Sequence, residues 1–493
     1  MTFLNSIFHS HFCVVFALGF IFMSCTSSSR VTVTHTSPVG TSLSSSPYPT
    51  IKDGIDALLP DSLFPPANIG IKVLSLRTGE TLYELNPDHL FNPASNQKLF
   101  TAATALVTLG PTYSFRTEAS YDTSIIPTIF IRGSGDPVLS VMDLDTLCLQ
   151  IASIIPERSS WRLVGDVSLF DDLFMGTGWS WDDESSTYSM GISPLTVNGN
   201  SIEVLLKNIN GALKLSTKPE SDYMTLSINV MIVDSVTERV KIERSWMERT
   251  NAVVARGQIG RSDTLVTTEL SVYQPERFFM TLVADRLRQQ NIPVDEIMID
   301  TVQGNTMPLA VLSHDLDTAI TYMNKVSDNL SAENILKTIA AEKVGKPGSA
   351  EAGAVIVRTF LQSIGVDTNK IIVADGSGLS RYNLTSANTI LALLQAMFTN
   401  PECFEEFYNS LPIAGVDGTL DYRMKGTTAE GNLRAKTGTI SGASALSGYV
   451  HSGDGEPLAF SILTQHYPVG ARAYRKVQDA IAVFLSSLRR QSM

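Results

Sequence analysis

The chain has 493 residues, 43% of them hydrophobic and 17% charged, with a formal charge of −12 and a pI near 5.1. That length supports a large core and, on the usual size of folding units, two or three domains. The acidic balance and the lack of any basic run exclude a general nucleic-acid binder, which needs clustered Lys and Arg against phosphates.

Residues 1–25 read as an export signal. The stretch "FCVVFALGFIFMSC" is apolar over about a dozen residues, too short to cross a membrane comfortably, although no Lys or Arg precedes it. It ends at Cys25 after the small Ser24, like a bacterial lipobox with Phe22 where Leu is usual. Membrane anchoring through lipid on Cys25 and ordinary cleavage nearby are both open, and an exported, periplasmic or cell-envelope location is expected. Residues 26–50 are Ser/Thr-rich with few large apolar groups and read as a solvated tether. Beyond them only Cys148 and Cys403 remain, enough for one bridge at most and equally consistent with two buried thiols.

The next feature is "NPASNQKLFTAATAL" (92–106), a small polar cluster ahead of an apolar run. The pattern predicts a helix with Ser95 at its start and Lys98 one turn further on. From 116 to 311, segments such as "SIEVLLKNINGALKLSTKP" and "TLSINVMIVDS" alternate and predict a mainly-β region. "MNKVSDNLSAENILKTIAA" then places Ser327, Asp328 and Asn329 just before an amphipathic helix, and "NLRAKTGTISGASALSGYV" places Lys436, Thr437 and Gly438 between strand-like segments. Taken singly, each of these also fits plain structure: "NPAS" as helix-start chemistry, Ser327 or Asp328 as a cap, and the Lys-Thr-Gly run as a surface strand ending in a turn.

Together, in the order S-x-x-K, S-x-N, K-T-G, they form the triple of penicillin-binding proteins and class A β-lactamases. A serine hydroxyl needs a neighbouring base, and a lysine one helical turn away lies on the same face. Lys98 must be neutral to serve, which burial or a second cation favours, and Lys436 is the expected second cation. A helix N-terminus also aims backbone N–H groups at a developing oxyanion. In this scheme Ser327 relays a proton to the leaving amine, and Asn329 holds the substrate amide and Lys98. Thr437 and Thr439 bind a terminal carboxylate, and Gly438 lets the edge strand approach the substrate backbone. No metal or organic cofactor is expected, because the seven histidines are scattered and neither an H-E-x-x-H motif nor a Cys/His cluster occurs. A G-x-S-x-G elbow is also missing.

On these motifs, and on "RGSGDPVL" (132–139), "GWSWDDESSTYSMGISPLTVNGN" (178–200), "DGSGLSRYN" (375–383) and "LPIAGVDGTL" (411–420), the chain resembles the class C low-molecular-mass penicillin-binding proteins. These form the D-alanyl-D-alanine carboxypeptidase/endopeptidase family, and the likeness runs from about residue 51 to the C-terminus. Ser95 and Ser327 are about 230 residues apart, leaving room for a domain-sized insertion that compact β-lactamases lack.

The resemblance implies an α+β fold, a β-lactamase/DD-peptidase-like catalytic domain over 51–115 and 312–493. In it an antiparallel five-stranded sheet is flanked by helices and interrupted by the mainly-β insertion of 116–311. It implies hydrolysis of D-Ala–D-Ala in peptidoglycan stem peptides, and of D-alanyl cross-links, through an acyl-enzyme on Ser95 that β-lactam antibiotics also form. Members that recognise the free D-centre of diaminopimelate carry an Asp four residues before a Phe. In "LFDDLF" Phe170 stands at that place before Phe174, leaving Asp171 as a candidate after a one-residue shift, or as part of a solvated acidic turn. Arg381 matches an Arg that the family uses for a substrate carboxylate, and a salt bridge would explain it equally well. Two rivals stand beside this expectation. "EEFYN" (405–409) has the Glu-x-x-x-Asn spacing that class A β-lactamases use for the deacylating water. A silent wall-binding scaffold on the same fold is the other.

Overall fold

The computed structural model describes residues 48, 50–64, 67–123, 125–302, 304–468 and 470–490. The signal and Cys25 lie outside the described residues, as does nearly all of the tether. No helix among the described residues is long and apolar enough to cross a membrane.

The chain begins with α1 (Ile51–Asp56), β1 (Asn68–Ser75), β2 (Thr81–Leu85) and α2 (Gln97–Leu109), then leaves the first sheet through β3 (Ser114–Asp122). β4 (Thr128–Arg132), α3 (Val141–Ile154), β5 (Trp161–Asp166), β6 (Ser201–Ile209), β7 (Ala212–Lys218) and β8 (Thr225–Val233) follow. Next come β9 (Lys241–Arg244), β10 (Ala252–Gly260), β11 (Leu265–Ser271), α4 (Pro275–Gln289), β12 (Val294–Ile299) and β13 (Met307–Asp315). The return carries α5 (Leu316–Lys325), α6 (Asn329–Lys343), α7 (Ala350–Ser363), α8 (Ala387–Phe398) and α9 (Phe404–Ser410). It ends with β14 (Arg434–Ile440), β15 (Ala443–His451), β16 (Pro457–Gln465) and α10 (Arg472–Ser487).

β1 and β2 join the last three strands in one antiparallel sheet of order β14-β15-β16-β1-β2. Strand residues alternate between its two faces, and both faces are covered, so β15 is buried from Ala443 to Val450. On one side Leu74, Ala445, Tyr449 and Leu463 pack under α2 and the helices α5–α9; on the other Ile71, Val73, Leu446 and Phe460 pack with α1 and α10. Each such side chain removed from water contributes about 1.5–3 kcal/mol. The resulting three-layer α+β architecture holds β14 as an edge strand against the start of α2.

Strands β3 and β13 pair antiparallel, Ser114 opposite Asp315, and tie the neck of the insertion. They belong to a five-stranded mixed sheet, β12-β5-β4-β3-β13, beside two three-stranded sheets, β11-β6-β7 and β8-β10-β9. The insertion also contains two helices that strand alternation alone did not predict, α3 of 14 residues and α4 of 15. Leu144, Leu147, Cys148 and Ile151 of α3 share one buried face, the spacing of a helix laid on a core. Cys148 and Cys403 are free and buried.

Candidate active site

Ser95 lies in a short 3-10 turn, Ala94–Asn96, directly ahead of α2. The polar residues around it are not helix caps, since neither this turn nor α2 has a side-chain cap. Instead Asn92 donates to the Ser380 carbonyl (3.0 Å) and accepts from Ala94 N (2.8 Å), while Asn96 donates to the Lys436 carbonyl (2.9 Å). These bonds hold Ala94 at φ +46°, a left-handed conformation costly for a residue with a Cβ, immediately before Ser95. The loop at Gly378 passes so close that a Cβ there would lie 1.8 Å from the Ala94 carbonyl oxygen. Only glycine fits.

Lys98 is fully buried, and its Nζ donates to Ser95 Oγ (3.2 Å), Asn329 Oδ1 (2.6 Å) and the Ser377 carbonyl (2.7 Å). All three N–H positions of an ammonium are used. Burial pushes its pKa down to about 8, against the opposing pull of Asp328, Asp375 and Glu333. Lys436 on β14 is also fully buried and donates to Ser327 Oγ (2.9 Å) and the Thr437 carbonyl (3.0 Å). Burial, then the Lys98 charge, lowers its pKa well below the lysine range. Each of the two buried amines is thus shifted toward its neutral form.

Ser327 sits at φ +65°, a second strained non-glycine at the site. The cap of α6 is Asp328, which accepts from Ser331 N (2.6 Å) and Ser331 Oγ (2.5 Å), so Ser327 is free of that duty. Asn329 opens α6 with its Oδ1 on Lys98 and its Nδ2 donating to the Tyr188 carbonyl (2.7 Å). Ser95, Lys98 and Asn329 thus form one hydrogen-bonded group and Ser327 with Lys436 a second, and Ser95, Ser327 and Asn329 line the same cleft.

The remaining expectations divide. Thr439 and Arg381 line the cleft with Ser95, Ser327 and Asn329, and Arg381 donates to the Ser441 carbonyl (3.1 Å). Thr437 donates to Thr419 Oγ1 (2.8 Å) and is not among the cleft-lining residues. Gly438 serves a different neighbour from the one expected: a Cβ there would lie 2.7 Å from the Pro93 carbonyl oxygen and 3.1 Å from Ser95 N. It lets β14 approach the Ser95 backbone. Asp171 is not brought to the cleft either. Its carboxylate is held by the buried Lys337 of α6 at 2.5 Å, and it lines a separate cavity inside the insertion with Phe170, Phe174 and Glu276. The buried cation it pairs with lies 166 positions away in sequence.

The acids that do reach the cleft are Asp182 and Asp183, on an insertion segment that forms one wall with Gly178, Ser180 and Tyr188. Tyr188 donates to Asp183 Oδ1 (2.6 Å), and Trp179 Nε1 donates to the buried Asp375 (3.0 Å), pinning the segment to the catalytic core. The sequence signal for this wall was the aromatic-acidic run "WSWDDESSTY", whose individual residues carried no assigned role. The cleft has a volume of about 560 Å³, ordinary for a small-ligand site. Glu405 and Asn409 are exposed on α9 and do not line it, so the Glu-x-x-x-Asn spacing holds no water beside Ser95. No cluster of metal-ligating side chains occurs among the described residues.

The chain is 33% identical over 486 residues to a D-alanyl-D-alanine carboxypeptidase of Actinomadura sp. (strain R39), an alignment covering 92% of this chain and 88% of that protein. It is 25% identical over 416 residues to the D-alanyl-D-alanine carboxypeptidase DacB of Haemophilus influenzae, covering 82% and 86%. The crystal structure of penicillin binding protein 4 (dacB) from Haemophilus influenzae superposes with a TM-score of 0.74 at 23% identity, over 88% of this chain and 98% of that one, a likeness of fold. The sequence pattern of the D-Ala-D-Ala carboxypeptidase 3 (S13) family matches residues 51–488, and the chain, a serine peptidase by this pattern and by its relatives, belongs to that family.

Proposed function

We propose that this enzyme hydrolyses the terminal D-Ala–D-Ala bond of peptidoglycan stem peptides through an acyl-enzyme on Ser95, and that β-lactams acylate the same oxygen. The observation that carries this is the contact of the buried Lys98 amine with Ser95 Oγ, in a cleft that Asn329 and the Lys436-bonded Ser327 also line. Ser95 Oγ attacks the carbonyl carbon of the penultimate D-Ala as its proton passes to neutral Lys98 Nζ. Lys436 donates to Ser327, which leaves the Ser327 hydroxyl hydrogen free for the leaving amine. As the C–N bond breaks, D-Ala departs with that proton and the proton taken up by Lys98 passes to Ser327. Water then adds its hydroxyl to the acyl carbon while its other hydrogen, taken by Lys98, returns to Ser95 Oγ as the ester C–O bond breaks.

Arg381 and Thr439 supply the cationic and hydroxyl contacts for the terminal carboxylate, while Asp182 and Asp183 place negative charge opposite, suited to an ammonium further along the stem peptide. An open wall contributed by the insertion also suits the second stem peptide of a cross-link, the substrate of an endopeptidase step. Such a substrate lies outside the cytoplasmic membrane. The apolar segment ending at Cys25 supports export there, with cleavage or lipid on Cys25 as the two means of release or anchoring.

The test is release of D-Ala from a peptide ending in D-Ala–D-Ala, with the L-Ala–L-Ala peptide as control. Because Lys98 loses its proton near pH 8, kcat/KM is expected to rise about tenfold per pH unit below that point and to level off above it. Equal turnover of the two peptides, or a rate that falls across this range, would refute the proposal. Gly438→Ala is expected to push β14 from Pro93 and Ser95, and a displacement of this kind costs about 10²-fold in acylation rate. A penicillin acylation assay checks it, and a near-wild-type rate would show that the close approach is unimportant.

A further inference from the structure

One buried acid has no part in the steps above. Glu333 lies on α6, one turn after Asn329, and is fully buried with no ion-pair partner among the described residues. Its Oε1 accepts from Gly376 N (3.1 Å) and Ser377 N (2.9 Å), and its Oε2 is 3.2 Å from the same Gly376 N. The opposite edge of these two residues faces α2: Thr101 Oγ1 donates to the Gly376 carbonyl (2.7 Å) and Lys98 Nζ to the Ser377 carbonyl (2.7 Å). Gly376 and Ser377 are therefore clamped between an acid on α6 and two donors on α2. A Cβ on Gly376 would lie 2.6 Å from the Ala332 carbonyl oxygen, so the loop is also seated directly on α6.

We propose that Glu333 is a positioning residue for the acylation step: through the Ser377 peptide it fixes the Lys98 amine against Ser95 Oγ, and its charge helps to set the pH at which that amine becomes a base. This rests on the Ser95 acyl-enzyme reading. Oε1 accepts both N–H bonds, and the ionised carboxylate adds Oε2 as a further acceptor for Gly376 N. Burial, then the neighbouring Asp375, pushes Glu333 up to about 7, below the point near 8 at which Lys98 loses its proton, so the carboxylate is the larger fraction there. The charges acting on Lys98 are Asp328 and Glu333 from α6 and Asp375 from the loop, and the Lys436 amine of β14, itself shifted toward its neutral form, is the other titratable group beside it. Asp375 cannot replace Glu333 in the clamp, because it is engaged with Trp179 Nε1, Ser377 Oγ, Gly378 N, Ser380 N and Asn383 Nδ2.

The experiment follows the acylation rate of Ser95 by a fluorescent penicillin against pH, in the wild type, Glu333→Gln and Glu333→Asp. In Glu333→Gln one of three carboxylates that hold the Lys98 proton is gone, so the acidic limb is expected to move to lower pH by about one unit. The plateau is expected to fall about tenfold or more as the Ser377 carbonyl loosens. Glu333→Asp keeps the charge and shortens the reach: its midpoint stays near that of the wild type and its plateau falls. A folded Gln variant with an unmoved midpoint overturns the proposal, since a merely structural role lowers stability without shifting the limb. Should the Gln variant not fold, an Asp variant with wild-type plateau overturns it as well. Absence of any Ser95 adduct in the wild type would instead defeat the acyl-enzyme reading, which separates the two failures.

Discussion

Lys98→Met is expected to lower the acylation rate of Ser95 by about 10³–10⁴-fold, the upper part of the range for a positioned general base. The substitution removes the only amine in contact with Ser95 Oγ among the described residues and leaves Asn329 Oδ1 and the Ser377 carbonyl without their donor. Lys98→Arg separates the two properties of the side chain. A guanidinium keeps the charge among Asp328, Asp375 and Glu333 but does not give up its proton near neutrality. Both variants are therefore expected to be inactive. Stopped-flow acylation with a fluorescent penicillin checks this, and an Arg variant retaining a tenth or more of the wild-type rate would show that Lys98 supplies charge rather than basicity.

Ser95→Ala is expected to abolish covalent capture of penicillin and release of D-Ala while leaving the fold in place. Only one oxygen is lost, and Lys98 keeps two of its three acceptors. The turn that carries residue 95 is held by Asn92, Asn96 and Gly378 rather than by the serine hydroxyl. The thermal midpoint should therefore change little, and reversible binding of a D-Ala–D-Ala peptide should persist. Calorimetric titration of the peptide, beside the adduct assay, distinguishes this loss of chemistry from loss of structure.

The candidate group around Ser95 was legible because its parts are local or ordered. Ser95 and Lys98 meet through the period of one helix, and Ser327, Asn329 and Lys436 occur in a motif order that accompanies that pair. What joins them is not local. Asn92 and Asn96 look like helix-start residues, yet the carbonyls they bond belong to Ser380 and Lys436, 288 and 340 positions away. Asp171 illustrates the same limit from the other side: an acid beside an apolar turn was a fair candidate for a substrate contact until Lys337 on a distant helix claimed it. The acids that reach the cleft, Asp182 and Asp183, become visible only once Trp179 is bonded to Asp375 and Tyr188 to Asn329.

In the fold, the five-stranded antiparallel sheet was expected from the resemblance, and its pairing of β1 with β16 brings opposite ends of the chain together. Alternation in the insertion predicted strands and obscured α3 and α4, although "VMDLDTLCLQIASI" carries apolar residues at helical spacing behind a Ser140–Asp143 capping box. Neighbouring strand signals outweighed it. The left-handed backbone at Ala94 and Ser327 had no sequence signal, because neither residue type favours it; the surrounding hydrogen bonds impose it.

The central claim is that Ser95 Oγ forms the acyl-enzyme. The most direct measurement is an intact-mass time course of the purified protein with penicillin, followed by peptide mapping of the adduct. A one-to-one adduct on the peptide containing Ser95, persisting long after free penicillin is removed and missing in Ser95→Ala, is the expected result. An adduct on another residue would contradict the assignment of the nucleophile. One on Ser95 that clears within seconds would make the protein a β-lactamase, and no adduct at all would leave a silent scaffold.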